Sequence, residues 1–261
     1  MGRLENKVAI VTGASSGIGR ATSLLFAQEG ARVVAVARRQ DKLAQLLQEI
    51  RSAGGEGCTV VADLVRETDV SRAVDVAVST FGGVDVLVNN AGVGASYADV
   101  QPGSMETVEH TSAQMWDHVM AVNLTSTFLM TRAVIPVMRR GGGGSLVHVG
   151  SISGYRGQDT AHTYTAAKGA VSNLSRSLAL AHGHEGIRSN VVAPGYVRTP
   201  MVESYLGVFD DDAVRYTVNP LGRAAEPAEI ANGCLFFASD ESSYCNGSML
   251  AMDGGLSAKG A

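Results

Sequence analysis

Lys7-Val8-Ala9-Ile10-Val11-Thr12-Gly13-Ala14-Ser15-Ser16-Gly17-Ile18-Gly19 is the stretch whose reading decides the fold. The β-branched run from Val8 to Val11 reads as a strand, and it breaks at the glycines 13, 17 and 19. An apolar pattern with helical spacing follows through Leu24, Leu25 and Phe26, with Gly30 placed to cap its end. Glycines at such a corner let the backbone turn tightly and approach a pyrophosphate. The helix N-terminus behind them offers free N–H groups and a positive dipole end. A tight turn alone would also explain the glycines; the strand before and the helix after make the motif a phosphate-binding expectation. Its candidate contacts are Gly13, Ser15, Ser16, Gly17, Ile18 and Gly19.

Outward from this corner, short apolar runs alternate with helical patterns. Strands are expected near residues 32–36, 60–62, 84–88, 146–149, 187–192 and 248–251, and helices near 41–53, 67–81, 113–140 and 227–238, with one more around Tyr164. The run at 84–88 is apolar throughout, as in a parallel strand buried on both faces. The expectation is an α/β, Rossmann-like, doubly wound parallel sheet of about seven strands with helices on both faces, in one domain spanning 1–261. Two segments break the alternation. Residues 93–112 form a polar loop and 196–220 a lid candidate with an acidic run at Asp210-Asp211-Asp212, read as a solvated loop rather than a cation site.

Composition narrows the class. Hydrophobic residues make up 45% and charged residues 18%, which fits a folded globular chain. A net charge of −4 supplies no basic field for nucleic acid. Cys58, Cys234 and Cys245 form no CxxC pair, and none of the six histidines makes a ligand cluster, so no metal is expected. The chain enters a strand almost at once and carries no apolar run near the ~20 residues of a membrane helix, so a cytoplasmic protein is expected.

The second strand leads to the position that separates the two nicotinamide cofactors. An acidic residue there holds a ribose 2′-hydroxyl, whereas an arginine accommodates a 2′-phosphate. This chain reads Ala37-Arg38-Arg39, so NADP(H) is favoured and NAD(H) stays possible. The arginines could instead simply start a solvated helix. Asp63 and Leu64 follow the third strand; Asp63 is placed either to accept a hydrogen bond from adenine or to cap its own loop.

Tyr164-Thr165-Ala166-Ala167-Lys168 places a phenol and an ammonium on one helix face. A tyrosine holds its proton to about pH 10, and a neighbouring positive charge favours the phenolate. Such a pair can pass a proton to or from an alcohol oxygen. Taken alone, the pentapeptide could equally be an ordinary helix with a buried Tyr and a solvated Lys. Ser151, 13 residues earlier at the end of a strand, could converge with it in one crevice. Tyr155 also follows Ser151 but lacks a lysine four residues on, which leaves it as a pocket-lining residue. His148 and His162 are read as packing residues.

With these motifs in order, the chain resembles the short-chain dehydrogenase/reductase family from Lys7 to about Gly255. Thr12-Gly13-x-x-x-Gly17-x-Gly19 is similar to the family's cofactor fingerprint, and Asn89-Asn90-Ala91-Gly92 to its sheet-supporting motif. By the resemblance, Asn123, Ser151, Tyr164 and Lys168 are the catalytic positions, with Asn123 holding a water that links Lys168 to solvent. Asn90, Ala91, Gly92, Pro194, Gly195, Val197 and Thr199 would border the cofactor, and Met252-Asp253-Gly254-Gly255 matches the family's C-terminal motif. The loop 93–112 is longer than the family usually has. The function implied is hydride transfer between a nicotinamide cofactor and a small ketone or secondary alcohol. A 3-oxoacyl-(acyl-carrier-protein) reductase, which would want a basic docking patch with Arg139 and Arg140 as contributors, is the alternative, and a non-catalytic cofactor sensor a more distant one. A homotetramer or homodimer is expected on the same basis.

Overall fold

β1 (Val8–Thr12) and β4 (Val86–Asn89) lie side by side at the centre of a parallel sheet, and every residue of both is buried. The computed structural model describes residues 2–259. With β2 (Arg32–Ala37), β3 (Glu56–Val61), β5 (Gly144–Val149), β6 (Ile187–Pro194) and β7 (Met249–Met252), the strand order is β3-β2-β1-β4-β5-β6-β7. All pairs are parallel. The order reverses between β1 and β4, which opens a crevice beyond their carboxyl ends.

The helices bury one stripe each against the sheet. On one face α1 (Gly17–Gln28), α2 (Gln40–Ser52) and α9 (Pro227–Ala238) supply Phe26, Leu43, Leu46, Ile50, Ile230 and Phe237. On the other, α3 (Glu67–Phe81) and α6 (Ser126–Arg140) supply Val70, Val74, Met130, Val134 and Met138. Local chemistry sets the ends. Gly82 terminates α3 at φ +89, and a Glu226/Glu229 capping box with Pro227 in the first turn starts α9.

Several departures from the sequence expectation are local. The helix expected over 113–140 is α5 (Ala113–Met120) and α6 joined by a π-helical turn, Ala121–Thr125, in which the Ser126 N–H reaches back to the Ala121 carbonyl. The 93–112 segment holds α4 (Tyr97–Val100) and a 3₁₀ turn at Val108–His110. The 196–220 segment holds a 3₁₀ stretch, Glu203–Phe209, and α8 (Arg215–Val218). β6 runs on to Pro194, which is tolerated at a strand end because no further N–H is needed from it. By length and mean hydropathy Ala113–Arg140 could cross a membrane, contrary to the sequence reading; here half of its most apolar stretch is buried and the run packs in the fold. The remaining helix, α7 (His162–His182), lies against β6 and carries Tyr164 and Lys168.

Candidate active site at the carboxyl ends of the strands

Thr12 ties the ends of the two central strands together. Its hydroxyl donates to the Val88 carbonyl (3.1 Å) and accepts from the N–H groups of Asn90 (2.9 Å) and Ala91 (3.0 Å). Asn90 returns a bond from Nδ2 to the Thr12 carbonyl at 3.0 Å. The glycine loop is thereby pressed against Asn90 and Ala91. A Cβ on Gly13, at φ +65, would lie 2.7 Å from Asn90 Nδ2, and one on Gly19 would lie 2.5 Å from the Gly13 carbonyl oxygen. Side chains here would collide with Asn90 and with the loop's own backbone, so only glycine lets the corner close this tightly. No acidic residue stands in the first turn of α1, and the Ser16 hydroxyl does not cap it. Its N–H groups are open to an anion, so the corner fits a dinucleotide pyrophosphate.

Next to this corner lies a cleft of about 260 Å³, bordered by the glycine loop, Arg38, Arg39, Asp63, Leu64 and the Asn90-Ala91-Gly92 turn. Arg39 reaches across it and donates from Nη2 to Ser15 Oγ (2.9 Å) and Ser16 Oγ (2.8 Å). Arg38 makes no hydrogen bond or ion pair among the described residues and stands exposed at the rim. Asp63 both borders the cleft and caps its own loop, accepting from the Val65 N–H at 3.4 Å.

A narrow cavity of about 90 Å³ continues from the cleft and brings together Asn123, Ser151, Tyr164 and Lys168 with Ile18, Asn90, Gly92, Pro194, Gly195, Val197 and Thr199. Beyond it a wider pocket of about 610 Å³ shares Ser151, Tyr164 and Gly195 with the narrow one. Met201, one of the apolar residues of the lid candidate, borders all three spaces. Its carbonyl accepts the Ser96 N–H at 2.9 Å, so the lid segment and the long loop are fastened to each other.

Lys168 is buried and donates from Nζ to the Val149 carbonyl at 2.9 Å. Burial pushes its ammonium down to about 8. Its nitrogen lies 5.7 Å from the centre of the Tyr164 ring. Burial raises the Tyr164 phenol above its ordinary value, and the hydrogen bond from Ser151 opposes that rise. Ser151 Oγ also accepts from the Ser153 N–H at 3.1 Å, which fixes its direction.

Asn123 sits in the π-helical turn with both ends of its amide engaged. Nδ2 donates to the Val119 carbonyl (3.1 Å) and Oδ1 accepts from the Val93 N–H (3.2 Å). A Cβ on Gly92 would come within 2.7 Å of Asn123 Oδ1, so only glycine admits this amide beside the turn. Single-turn π segments inside helices often mark functional sites.

Other residues turn out differently from their sequence reading. Tyr155 borders none of the three spaces and is 43% exposed, because its short 3₁₀ turn directs it outward. His162 does more than pack: its Nδ1 accepts the Val108 N–H at 3.0 Å and pins the long loop to α7. His148 is fully buried in a polar chain, with Nδ1 accepting from Asn89 Nδ2 (3.2 Å) and Nε2 on Ser189 Oγ (3.1 Å). Burial and the nearby Lys168 charge lower it to about 4, so the ring is neutral. Arg139 lies at the far end of α6, away from the site, and is held by Glu185 at 2.9 and 3.0 Å. An entrance patch built from Arg139 and Arg140 is therefore ruled out by the topology. In the acidic run, Asp212 pairs with Arg215 at 2.9 Å.

The family pattern described as Enoyl-(Acyl carrier protein) reductase matches residues 13–257. Over 257 residues the chain is 35% identical to a cyclohexanol dehydrogenase of Acinetobacter sp. (strain SE19), covering 98% of this chain and 97% of that one. It is 38% identical over 254 residues to a 3-oxoacyl-[acyl-carrier-protein] reductase of Thermotoga maritima, covering 97% and 99% of the two chains. The crystal structure of a short-chain type dehydrogenase/reductase from Mycobacterium marinum superposes with a TM-score of 0.88 at 31% identity, over 98% of this chain and 97% of that one. The chain belongs to the short-chain dehydrogenase/reductase family. It is an NAD(P)-dependent oxidoreductase acting on the CH–OH groups of secondary alcohols or on the corresponding ketones.

Proposed function

We propose that this protein reduces ketones, or oxidises the matching secondary alcohols, with NADP(H) as the preferred cofactor and Tyr164 as the proton donor and acceptor. The observation that carries the reading is the sharing of Ser151 and Tyr164 between the narrow cavity and the wide pocket. A carbonyl carbon presented from the wide pocket meets the narrow cavity at these two hydroxyls. The bound nicotinamide dinucleotide supplies or accepts the hydride.

The chain's own residues do the rest. The glycine corner and the N-terminus of α1 hold the pyrophosphate. Ser151 holds the substrate oxygen and steadies the charge that develops there. Tyr164 gives its phenolic proton to that oxygen in reduction and takes it back in oxidation. Lys168, fixed by Val149 and close to its ring, keeps positive charge beside the phenol as it ionises. Asn123 props open the turn at Val93, where the long loop leaves the site.

Arg38 supports the NADP(H) reading because its guanidinium is uncommitted at the cleft rim, while no carboxylate stands where a ribose 2′-hydroxyl would be gripped. Exposed Trp116 on α5, Phe128 on α6 and Leu180 on α7 support a homotetramer built on the outer helix faces. A cytoplasmic location is consistent with the flanking, half-buried helix run at 113–140. The second reading, a 3-oxoacyl-carrier reductase, is favoured by the similarity to the Thermotoga maritima protein. It loses its basic docking patch with Arg139 engaged at the far end of α6.

The test is a paired titration with NADPH and NADH, followed by turnover on free ketones and on an acyl thioester. Tighter NADPH binding, weakened in Arg38→Ala, together with turnover of free ketones is expected. NADH preference, or turnover confined to the thioester, overturns the reading.

A further inference from the structure

The wide pocket has two unlike sides. Met105, Ile152, Met201 and Val202 give it apolar walls, interrupted by the hydroxyls of Ser151, Ser153 and Tyr164. The far side is the exposed segment 156–160, which contains Arg156 and Asp159. Arg156 is anchored by one bond only, from Nη1 to the Leu256 carbonyl, at 2.6 Å. That bond joins residues 100 apart in the chain and holds the side chain against the C-terminal segment, which also borders the pocket. Among the described residues no carboxylate pairs with Arg156, and its Nε and Nη2 make no hydrogen bond to protein.

An arginine fork held at the wall of a pocket that is part apolar and part polar, with donors to spare, has the geometry for a carboxylate. We propose that Arg156 anchors a carboxylate subsite, so that the preferred substrates are keto acids or hydroxy acids whose acidic group is separated from the reacting carbon by an apolar body. The claim rests on Ser151 and Tyr164 marking the reacting end of the pocket. Asp159, on the same segment, sets the charge of the ligand: it opposes a dianion more than a monoanion, which selects a carboxylate over a phosphate. Met105, Ile152, Met201 and Val202 offer apolar contact to the carbon body of such a substrate.

The experiment compares a series of keto acids of increasing chain length, each with its methyl ester, in wild type, Arg156→Gln, Arg156→Lys and Asp159→Asn. The readout is the acid-to-ester ratio of kcat/KM, with binding of acid and ester measured by calorimetry in the presence of the dinucleotide. In wild type the ratio exceeds one at the matching length and falls as salt is raised. Arg156→Gln lowers it about tenfold, Arg156→Lys lowers it less, and Asp159→Asn raises it. A ratio at or below one at every length, or a ratio unmoved by Arg156→Gln, overturns the subsite. If esters and acids are both inert, the redox reading fails, and the calorimetric ratio then decides the subsite by itself.

Discussion

The ammonium of Lys168 donates to the carbonyl of Val149 across 2.9 Å, which clamps α7 to the end of β5. The bond has a cost attached. A lysine this buried resists protonation, and its value drops from 10.5 to about 8. Between those values the unfolded chain binds more protons than the folded one, so stability rises with pH from about 8 to about 10.5. Below pH 8 the full penalty of about 3 kcal/mol stands.

Lys168→Met removes that titration. Thermal unfolding measured from pH 7 to pH 10 should climb relative to the variant as pH rises in the wild type, while the variant follows the remaining groups only. Turnover should fall sharply in the same variant. Parallel stability curves for the two proteins would contradict a buried, depressed Lys168.

His148 makes the opposite end of the pH range sensitive. Its ring is held neutral with a value near 4, against an ordinary value of 6.5. As pH falls below 6.5 the unfolded chain takes up the proton first, and stability drops progressively until about pH 4. His148→Gln should cost about 1–3 kcal/mol at neutral pH, through its broken bonds to Asn89 and Ser189. It should also flatten the acid limb. Denaturant titrations at pH 7 and pH 5 check both; an unchanged gap between the two pH values would count against a neutral His148.

At the glycine corner, Gly19→Ala places a methyl 2.5 Å from the Gly13 carbonyl oxygen and 2.4 Å from Asn90 Nδ2. One of them must move, at a cost of about 1–3 kcal/mol. Dinucleotide affinity should fall by more than stability alone explains if the displaced loop is the pyrophosphate cradle, as proposed. Calorimetric titration alongside thermal unfolding separates the two effects; wild-type affinity in a folded Gly19→Ala protein would show that the loop does not hold the cofactor.

Much of this was legible in the sequence because it depends on local order. The strand, glycine corner and helix around Gly13–Gly19 follow from hydrophobic period and backbone freedom, and α3 and α9 begin and end where their caps and breakers stand. Tyr164 and Lys168 share a face by spacing alone. What escaped depends on contacts distant in sequence or on a single register change. The π-helical turn at Ala121–Thr125 has no composition of its own, and the bonds of its Asn123 to Val119 and Val93 are visible only in the folded chain. The Arg39 bridge to Ser15 and Ser16, the His162 bond to Val108 and the Arg156 bond to Leu256 each join separate segments. Tyr155 and Arg139 were misplaced for a related reason. Nearness in sequence to Ser151, or a positive charge, does not say which end of the sheet a side chain occupies.

The most direct test is Tyr164→Phe, followed by steady-state turnover of a ketone and by dinucleotide titration. The substitution removes one oxygen and leaves the ring beside Lys168 in place. Turnover should fall by about a thousandfold, with dinucleotide affinity and melting temperature near wild type. A variant that binds dinucleotide and keeps near-wild-type turnover would contradict proton transfer through Tyr164.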